Sequence, residues 1–495
     1  MKKIYIRAGM LPTELFTPQE MITRNVLGNN VGNLIYQYGI IRSLTTPDTE
    51  FMASRYKNKL SDAEIDQINN ECSAHILPFA DAFRPDFVDE LRQITSNIKR
   101  FNMPTVIAGV GIRAPYEPNL NQGFKFDDAV KEFVKAVLDK SAIIGVRGQI
   151  TADYLTKLGF KEGRDHTVIG CPSMYSNGRE FEIRETVINE NSKFSFNTTS
   201  ASAANIQQFI INNAASFNDS TYIPQLVAEL NLLHTGKEFI SRAHSSYPST
   251  ITGKFHLEDR VKFFLNAPSW MNFMKSVDLS FGTRLHGNIV ATMSGTPVIL
   301  IPKDARTREI ASYHNLTVIE GGLKLDPSEK LLDYVEKLDF QSPIKVQKEN
   351  FDHFIDFLDA NGLDHAYKED RNAKHLELDR QIKNCSHRAE ASSLYKSVDA
   401  REVMRRLEPI NALDFSKENV FKDNFNQIKS QHDELNLSDK ERKTLLKNDS
   451  NSIKTLEKEL AEVEQKLSKN QTKLEELSAL ISAPNIEKKS DGKVL

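Results

Sequence analysis

The chain has 495 residues, 39% of them hydrophobic and 26% charged, which is too long for one ordinary core and suggests about three domains. Its 64 Lys+Arg against 67 Asp+Glu leave a formal charge of −3, which argues against a globally basic, nucleic-acid-binding surface. Three scattered cysteines, Cys72, Cys171 and Cys385, argue against a disulfide framework or a C-x-x-C zinc site and fit a reducing compartment. The segment Met1 to Arg7 is basic but lacks the apolar run of a signal peptide, and no stretch of about 18 apolar residues offers a membrane span. A cytoplasmic protein is expected.

In chain order, Gly28-Asn-Asn-Val-Gly-Asn reads as a loop opening a helix. Thr105–Gly111 reads as a buried strand running into a glycine loop, and Ala142–Arg147 as another, followed by a helix over 151–158 that stops at Gly159. Thr167–Gly170, Val277–Gly282, Pro297–Pro302 and Leu316–Ile319 repeat the strand pattern, with helical stretches between them. Alternation of this kind predicts βαβ units and parallel sheets. A polar stretch from Ser176 to Glu185 divides the body into two halves, so two doubly wound domains are expected to face one another across a cleft at the carboxyl ends of their strands.

Glycine punctuation ends early: all but Gly492 lie at or before Gly362, and the tail beyond holds only Pro409 and Pro484. The expected domains are therefore 1–180, 186–365, a helical extension over 366–482 and a disordered end over 483–495. Within the extension, Ile453, Leu456, Leu460, Val463, Leu467, Leu474, Leu477 and Ile481 alternate in steps of three and four, with Asn470 in a polar seam position. That spacing predicts a coiled coil over about 446–481, serving a homo-oligomer or partner docking; an amphipathic helix folded on the body is the alternative.

The densest chemistry lies between Phe281 and Glu309. A strand ending at Phe281 and a turn at Gly282 place Thr283, Arg284 and His286 at a helix start, where free N–H groups and a guanidinium favour an anion and His286 can move a proton. One strand later Lys303, Arg306 and Arg308 follow within six residues. Two adjacent loops carrying several cations and one histidine suit a small, multiply charged ligand such as a phosphate carboxylate. Structural ion pairing to Asp304 or Glu309 is the competing reading, and at this level both stay open.

The run Gly282-Thr-Arg-Leu-His-Gly, with Ser294-Gly-Thr-Pro-Val and Asp304-Ala-Arg-Thr-Arg-Glu, resembles the signature of the polysaccharide pyruvyl transferase family. The passages Gly28-Asn-Asn-Val-Gly-Asn-Leu, His75-Ile-Leu-Pro, Ala80-Asp-Ala-Phe-Arg, Ala108-Gly-Val-Gly-Ile, Val146-Arg-Gly and Gly170-Cys-Pro-Ser are similar to that family and occur in its order, over roughly 25–320. The resemblance implies two Rossmann-like domains akin to the GT-B glycosyltransferases. It also implies transfer of pyruvate from phosphoenolpyruvate to two hydroxyls of a sugar as a cyclic ketal. The Arg-Leu-His motif, associated with the phosphoenolpyruvate site, maps onto Arg284, Leu285 and His286.

Further candidates are Arg147 and Arg113, which follow strands of the first half, and Asn30 and Asn33, which suit either the acceptor sugar or loop capping. Cys171 is expected to be a small buried residue and Trp270 part of the core. No metal cluster is expected and no resident cofactor, with a divalent ion assisting phosphate departure an open alternative. The expected partners are phosphoenolpyruvate and a glycan or lipid-linked oligosaccharide acceptor, with no nucleic acid, and a peripheral place at the inner face of a membrane is compatible. Two other functions compete. One is a GT-B glycosyltransferase holding a sugar diphosphate with Arg306 and Arg308; the other is a non-catalytic carbohydrate-binding assembly protein organised by the heptad tail.

Overall fold

A computed structural model describes residues 2–24, 26–237, 246–320, 324–385 and 390–412, with a set of positions between 454 and 473. The chain separates into two units, Met1–Lys396 and Ser397–Leu495.

The first unit is built on two parallel sheets. The six-stranded one holds β1 (Lys2–Ile6), β2 (Thr49–Ala53), β3 (Cys72–Leu77), β4 (Thr105–Val110), β5 (Ile144–Val146) and β6 (His166–Val168), in the order β2-β1-β3-β4-β5-β6. The four-stranded one holds β7 (Lys193–Asn197), β8 (Asp219–Tyr222), β9 (Leu279–Gly282) and β10 (Val298–Leu300), in the order β10-β9-β7-β8. Parallel strands need helical crossovers that cover both faces, and this is why β4, β9 and β10 are buried along their whole length. The covering helices are legible in the same terms. Helix Val88–Arg100 buries Leu91, Ile94 and Ile98, and carries Asp89 and Glu90 in its first turn and Lys99 and Arg100 in its last, as the helix dipole favours. The doubly wound α/β expectation holds.

Strand order reverses once in each sheet, between β1 and β3 in the first and between β7 and β9 in the second. Crossovers leave such a point in opposite directions and open a crevice at the carboxyl ends of the two strands. These two crevices frame the site described below.

Several contacts cross the sequence division and join the halves, and three of them fix how the halves meet. The helix Ile344–Ala360 follows the second sheet but lies on the first: His353 Nε2 is 2.8 Å from Thr167 Oγ1, and Asn361 Oδ1 accepts from the amides of Ala142 and Ile143 at 3.0 and 3.3 Å. Val31 N donates to Gln225 O at 2.8 Å, tying the 28–33 loop to the second half. Glu309 caps the helix Gln149–Lys157 from the other half, accepting from Thr151 N and Oγ1, both at 2.8 Å. Burial lifts the Glu309 carboxyl to about 7, although the Thr151 bonds and the charges of Arg147 and Arg306 pull the other way.

The expected body ended at residue 365; the compact unit instead runs to Lys396. Buried Arg42 explains part of the difference. Its guanidinium donates to Asp379 at 2.8 and 2.6 Å, to Tyr367 Oη at 2.6 Å and to Lys374 O at 2.9 Å, pinning the 367–379 segment to the helix Asn33–Leu44. In the second unit, residues 400–412 are helical, as are the described positions between 454 and 473, which are exposed. Asn470 is among them, whereas the eight apolar seam residues from Ile453 to Ile481 and the 483–495 end lie outside the described residues. Among the described residues, no helix is long and apolar enough to cross a membrane, and no group of three or more His, Cys, Asp or Glu is placed to hold a metal ion.

Two stability measurements follow. Asp379→Ala strands the Arg42 charge in a side chain only 5% exposed and should cost about 3–5 kcal/mol in urea unfolding, whereas the double change Arg42→Met with Asp379→Leu should cost far less. Glu309 holds its proton more tightly folded than unfolded, so its contribution is present below pH 4.5 and is lost as pH rises to about 7. His75 and His314, held near 3 by burial, slope the opposite way below pH 6.5, so the wild-type curve must be compared with that of Glu309→Gln. The difference should change by about 1–3 kcal/mol across that window; parallel curves would contradict the assignment.

Candidate active site at the facing switch points

At the second sheet's switch point, β9 ends on Gly282, whose φ is 141° and whose added Cβ would sit 1.8 Å from Asn197 O, so only glycine permits the turn. The helix Leu285–Met293 starts there with Arg284 at its N-cap position. Asn197, ending β7, accepts from Arg284 N at 2.7 Å, and Thr198 O accepts from Arg284 Nε at 2.8 Å. The guanidinium Nη2 stands 3.6 Å from Glu229 Oε2 with the side chain 10% exposed. Glu229 is itself saturated, accepting from Tyr222 Oη at 2.5 Å, from the hydroxyl of Tyr247, and from the amides of Gln225 and Leu226 at 2.9 and 2.7 Å. Burial pulls the Arg284 pKa down, but Glu229 and the two tyrosines outweigh it, so this arginine stays charged. Its neighbour Leu285 packs in the apolar core.

His286, one residue further, points into the first half. Its Nε2 lies 3.4 Å from Arg147 Nη1 and 3.7 Å from Cys171 Sγ, and its ring centroid is 5.3 Å from that of Tyr36. An arginine offers only donors, so Nε2 carries the lone pair and the proton sits on Nδ1. Burial, then the charges of Arg147 and Arg306, hold the imidazole pKa well below 6.5, so His286 is neutral at working pH. Arg147 is fully buried at the end of β5. Its Nε and Nη2 donate to Phe79 O at 3.0 and 2.6 Å, its Nε also to Gly109 O at 2.6 Å, and its guanidinium lies 5.0 Å over the Tyr36 ring. Among the described residues it pairs with no carboxylate. A buried guanidinium satisfied by carbonyls keeps its full charge for something else.

Lys303 and Arg306 stand at the next helix start, Ala305–Tyr313, where Asp304 caps by accepting from Thr307 N at 2.8 Å. Their charged ends lie 3.7 and 3.5 Å from Asp304 Oδ2, each side chain about one-fifth exposed at 18% and 19%. Burial lowers the Lys303 pKa; Asp304 opposes this, and Arg306, Arg284 and Arg113 reinforce it. Mutual repulsion of this kind marks a group of cations that Asp304 and Glu229 neutralise only in part. Arg306 Nε is buried without a hydrogen-bond partner. Asp81 and Asp304 supply the opposing charge that keeps Arg306 protonated.

Four other expected residues are engaged differently. Arg113 is exposed and paired with Asp81 at 2.8 Å and Asp86 at 3.1 Å. Arg308 is exposed, lying over the Tyr116 ring at 5.1 Å and donating to Tyr116 O at 3.1 Å. Asn30 Oδ1 accepts from Gly32 N at 2.8 Å and Asn33 Nδ2 donates to Leu27 O at 2.9 Å, so both hold the 28–33 loop. That loop nevertheless borders the site, because a Cβ added to Gly32 would lie 3.1 Å from His286 Cβ. Cys171 and Trp270 are buried as expected. Sequence reading passed over Glu229, Tyr222, Tyr247, Asn197 and Tyr36. They come from five separate elements or loops, and only Asn197 and Tyr222, which directly end β7 and β8, carried a positional signal.

Comparison with known proteins bears on these motifs. The sequence profile of the polysaccharide pyruvyl transferase family matches residues 39–304, more than half of the chain. Curated protein sequences give no match. Among solved structures, the chain is similar to a functionally uncharacterised protein from Klebsiella pneumoniae, at 13% identity over 65% of this chain and 93% of that one, with a TM-score of 0.34. It is also similar to UDP-GlcNAc 2-epimerases. The one from Methanocaldococcus jannaschii, solved with UDP-GlcNAc and UDP, is 11% identical over 72% of this chain and 99% of that one, with a TM-score of 0.38. The one from Neisseria meningitidis, bound to UDP-GlcNAc, is 10% identical over 78% and 98%, with a TM-score of 0.34. The profile spans the β4, β5 and β9 ends that carry Arg147, Arg284 and His286, and on that match the chain belongs to the polysaccharide pyruvyl transferase family.

Proposed function

We propose that the protein transfers pyruvate from phosphoenolpyruvate to two hydroxyls of a sugar in a surface polysaccharide or its lipid-linked precursor, closing a cyclic ketal and releasing phosphate. The observation that carries this reading is the pairing of neutral His286 with Arg147, at 3.4 Å, beside the cations Arg284, Lys303 and Arg306. Phosphoenolpyruvate brings a carboxylate and a phosphate, and several desolvated guanidinium and ammonium groups are what its charge needs. Arg284, at the switch point and start of a helix, holds one anionic group, and Lys303 with Arg306 the other. Arg147 supports the charge that develops as phosphate departs.

Atoms balance in two steps. The first acceptor hydroxyl adds across the enol double bond, its oxygen to C2 and a proton to C3. The second hydroxyl then displaces phosphate at C2, and its proton leaves with the phosphate. His286 Nε2, unprotonated and turned toward the junction of the halves, takes the hydroxyl proton in this scheme. Binding of an anion beside it would raise its basicity, because a neighbouring negative charge offsets the repulsion by Arg147 and Arg306 that helps depress it.

Phosphate release from phosphoenolpyruvate, measured with a sugar acceptor pool, tests the reading. His286→Asn should lower turnover by about 10²–10⁴-fold with little change in the apparent affinity for phosphoenolpyruvate. Near-normal turnover, or an unchanged pH–rate profile, would remove His286 from proton transfer. Turnover of a sugar nucleotide with none of phosphoenolpyruvate would replace the donor itself.

A further inference from the structure

The first sheet has its own switch point, and it carries a cation that the donor site does not use. Arg7 follows the last residue of β1 directly, at the carboxyl end that faces β3. Its guanidinium lies over the rings of Tyr56, Phe79 and Phe87, at 4.9, 5.2 and 5.5 Å. Among the described residues it makes no side-chain hydrogen bond and no ion pair, and its Nε is buried. Burial lowers its pKa; Tyr56 and Tyr36 oppose this, Arg84 reinforces it, and Glu90 adds the smallest opposing charge. Arg84 shows what a structural arginine looks like here. It sits 4.7 Å over the same Phe87 ring but is paired with Asp81 at 2.8 Å and Asp86 at 3.1 Å. Arg7 is only partly buried: its Nε is covered, and the aromatic faces around it supply no ion pair, so its charge stays available to an anionic ligand.

An independent observation points to the same place. Arg55 and Tyr56 are consecutive non-glycine residues in the left-handed region, with φ of 53° and 55°. Each such residue stores about 1–3 kcal/mol unless its surroundings impose it, and such strain clusters at binding sites. Here the turn is held by Ser54 N to Ile6 O at 2.9 Å, Arg55 N to Ala8 O at 2.8 Å, and the Arg55–Glu14 ion pair. The outcome is a Tyr56 ring placed beside Arg7, its hydroxyl accepting from Gln37 Nε2 at 2.6 Å. Glycine is required opposite it: a Cβ on Gly9 would lie 2.5 Å from the Tyr56 ring. A partly exposed aromatic face beside an uncompensated guanidinium is the recognition chemistry of a sugar that carries a negative charge.

Phe79 links this place to the donor site, because its ring packs on Arg7 while its carbonyl holds Arg147. We propose that Arg7 and Tyr56 form the acceptor subsite, and that the acceptor is an anionic sugar whose carboxylate or phosphate binds Arg7 while its hydroxyls reach toward His286. Calling the sugar an acceptor rests on the pyruvyl-transfer reading; its negative charge does not.

The test is binding of methyl β-glucuronide, glucose 1-phosphate and neutral methyl β-glucoside to the full chain, by ligand-observed NMR, with phosphoenolpyruvate affinity measured in parallel. Wild type should prefer at least one charged sugar over the neutral one by about tenfold, and which of the two wins distinguishes carboxylate from phosphate. Arg7→Gln should abolish the preference with phosphoenolpyruvate binding unchanged, and Arg7→Lys should retain only part of it. Equal binding of charged and neutral sugars by wild type, or a preference that survives in Arg7→Gln, would overturn the proposal. Should Arg7→Gln not fold, a preference undiminished in Arg7→Lys would overturn it equally. A charged-sugar preference in a protein that binds no phosphoenolpyruvate would leave the subsite standing and remove the donor reading.

Discussion

The structure turns on a buried arginine that, among the described residues, is given carbonyls but no carboxylate. Arg147, at the end of β5, spends its donors on Phe79 O and Gly109 O, and its charge is left facing the imidazole of His286 from the other half. A carboxylate in that place would quench the charge, and water would screen it. Among the described residues no carboxylate pairs with it, and β4, β5, Tyr36 and the 285–293 helix close around the fully buried side chain. Much of the surrounding geometry serves this arrangement. Gly109, with φ of 83°, turns its carbonyl to Arg147, and the Glu309 cap and the 344–360 helix hold the halves together so that His286 meets it.

Seen from the two sheets, the site has a plain symmetry. Each sheet reverses its strand order once, and each reversal carries an arginine next to the strand end: Arg7 after β1, and Arg284 after β9. The two are treated differently. Arg284 is positioned by Asn197, Thr198 and a carboxylate that already receives four hydrogen bonds, so its direction is fixed before any ligand arrives. The Arg7 side chain is held, among the described residues, by aromatic faces alone. A donor of constant chemistry suits the first arrangement, and an acceptor that must seat, react twice and leave suits the second.

Much of the fold was legible because its signals are local. Glycine after apolar β-prone runs marked the carboxyl ends of β4 and β9, and the polar 176–185 stretch marked the change of sheet. Arg284 and His286 were found because strand, glycine turn and helix start fall within a few residues. The arrangement around them was not legible, because it is made by partners far apart in the chain. Arg147 and His286 are separated by 139 positions, and Glu229 reaches Arg284 because β7 pairs with both β8 and β9. Proximity in sequence also misled: Lys303 and Arg306 share one cluster, but Arg308 sits on Tyr116, because helical spacing turns it away. Arg7 carried a signal that could have been used, as the first charged residue after the first β-run.

The proposed place for phosphoenolpyruvate is where Arg147, Arg284, Lys303 and Arg306 gather around His286 with too few carboxylates to neutralise them all. Calorimetric titration of phosphoenolpyruvate into the wild type and Arg284→Ala, at moderate salt where exposed charges are screened, tests it directly. Saturable binding by the wild type that is lost in the variant is the predicted result. Binding that survives the loss of Arg284, or no binding to the folded wild type with or without acceptor sugar, would contradict it.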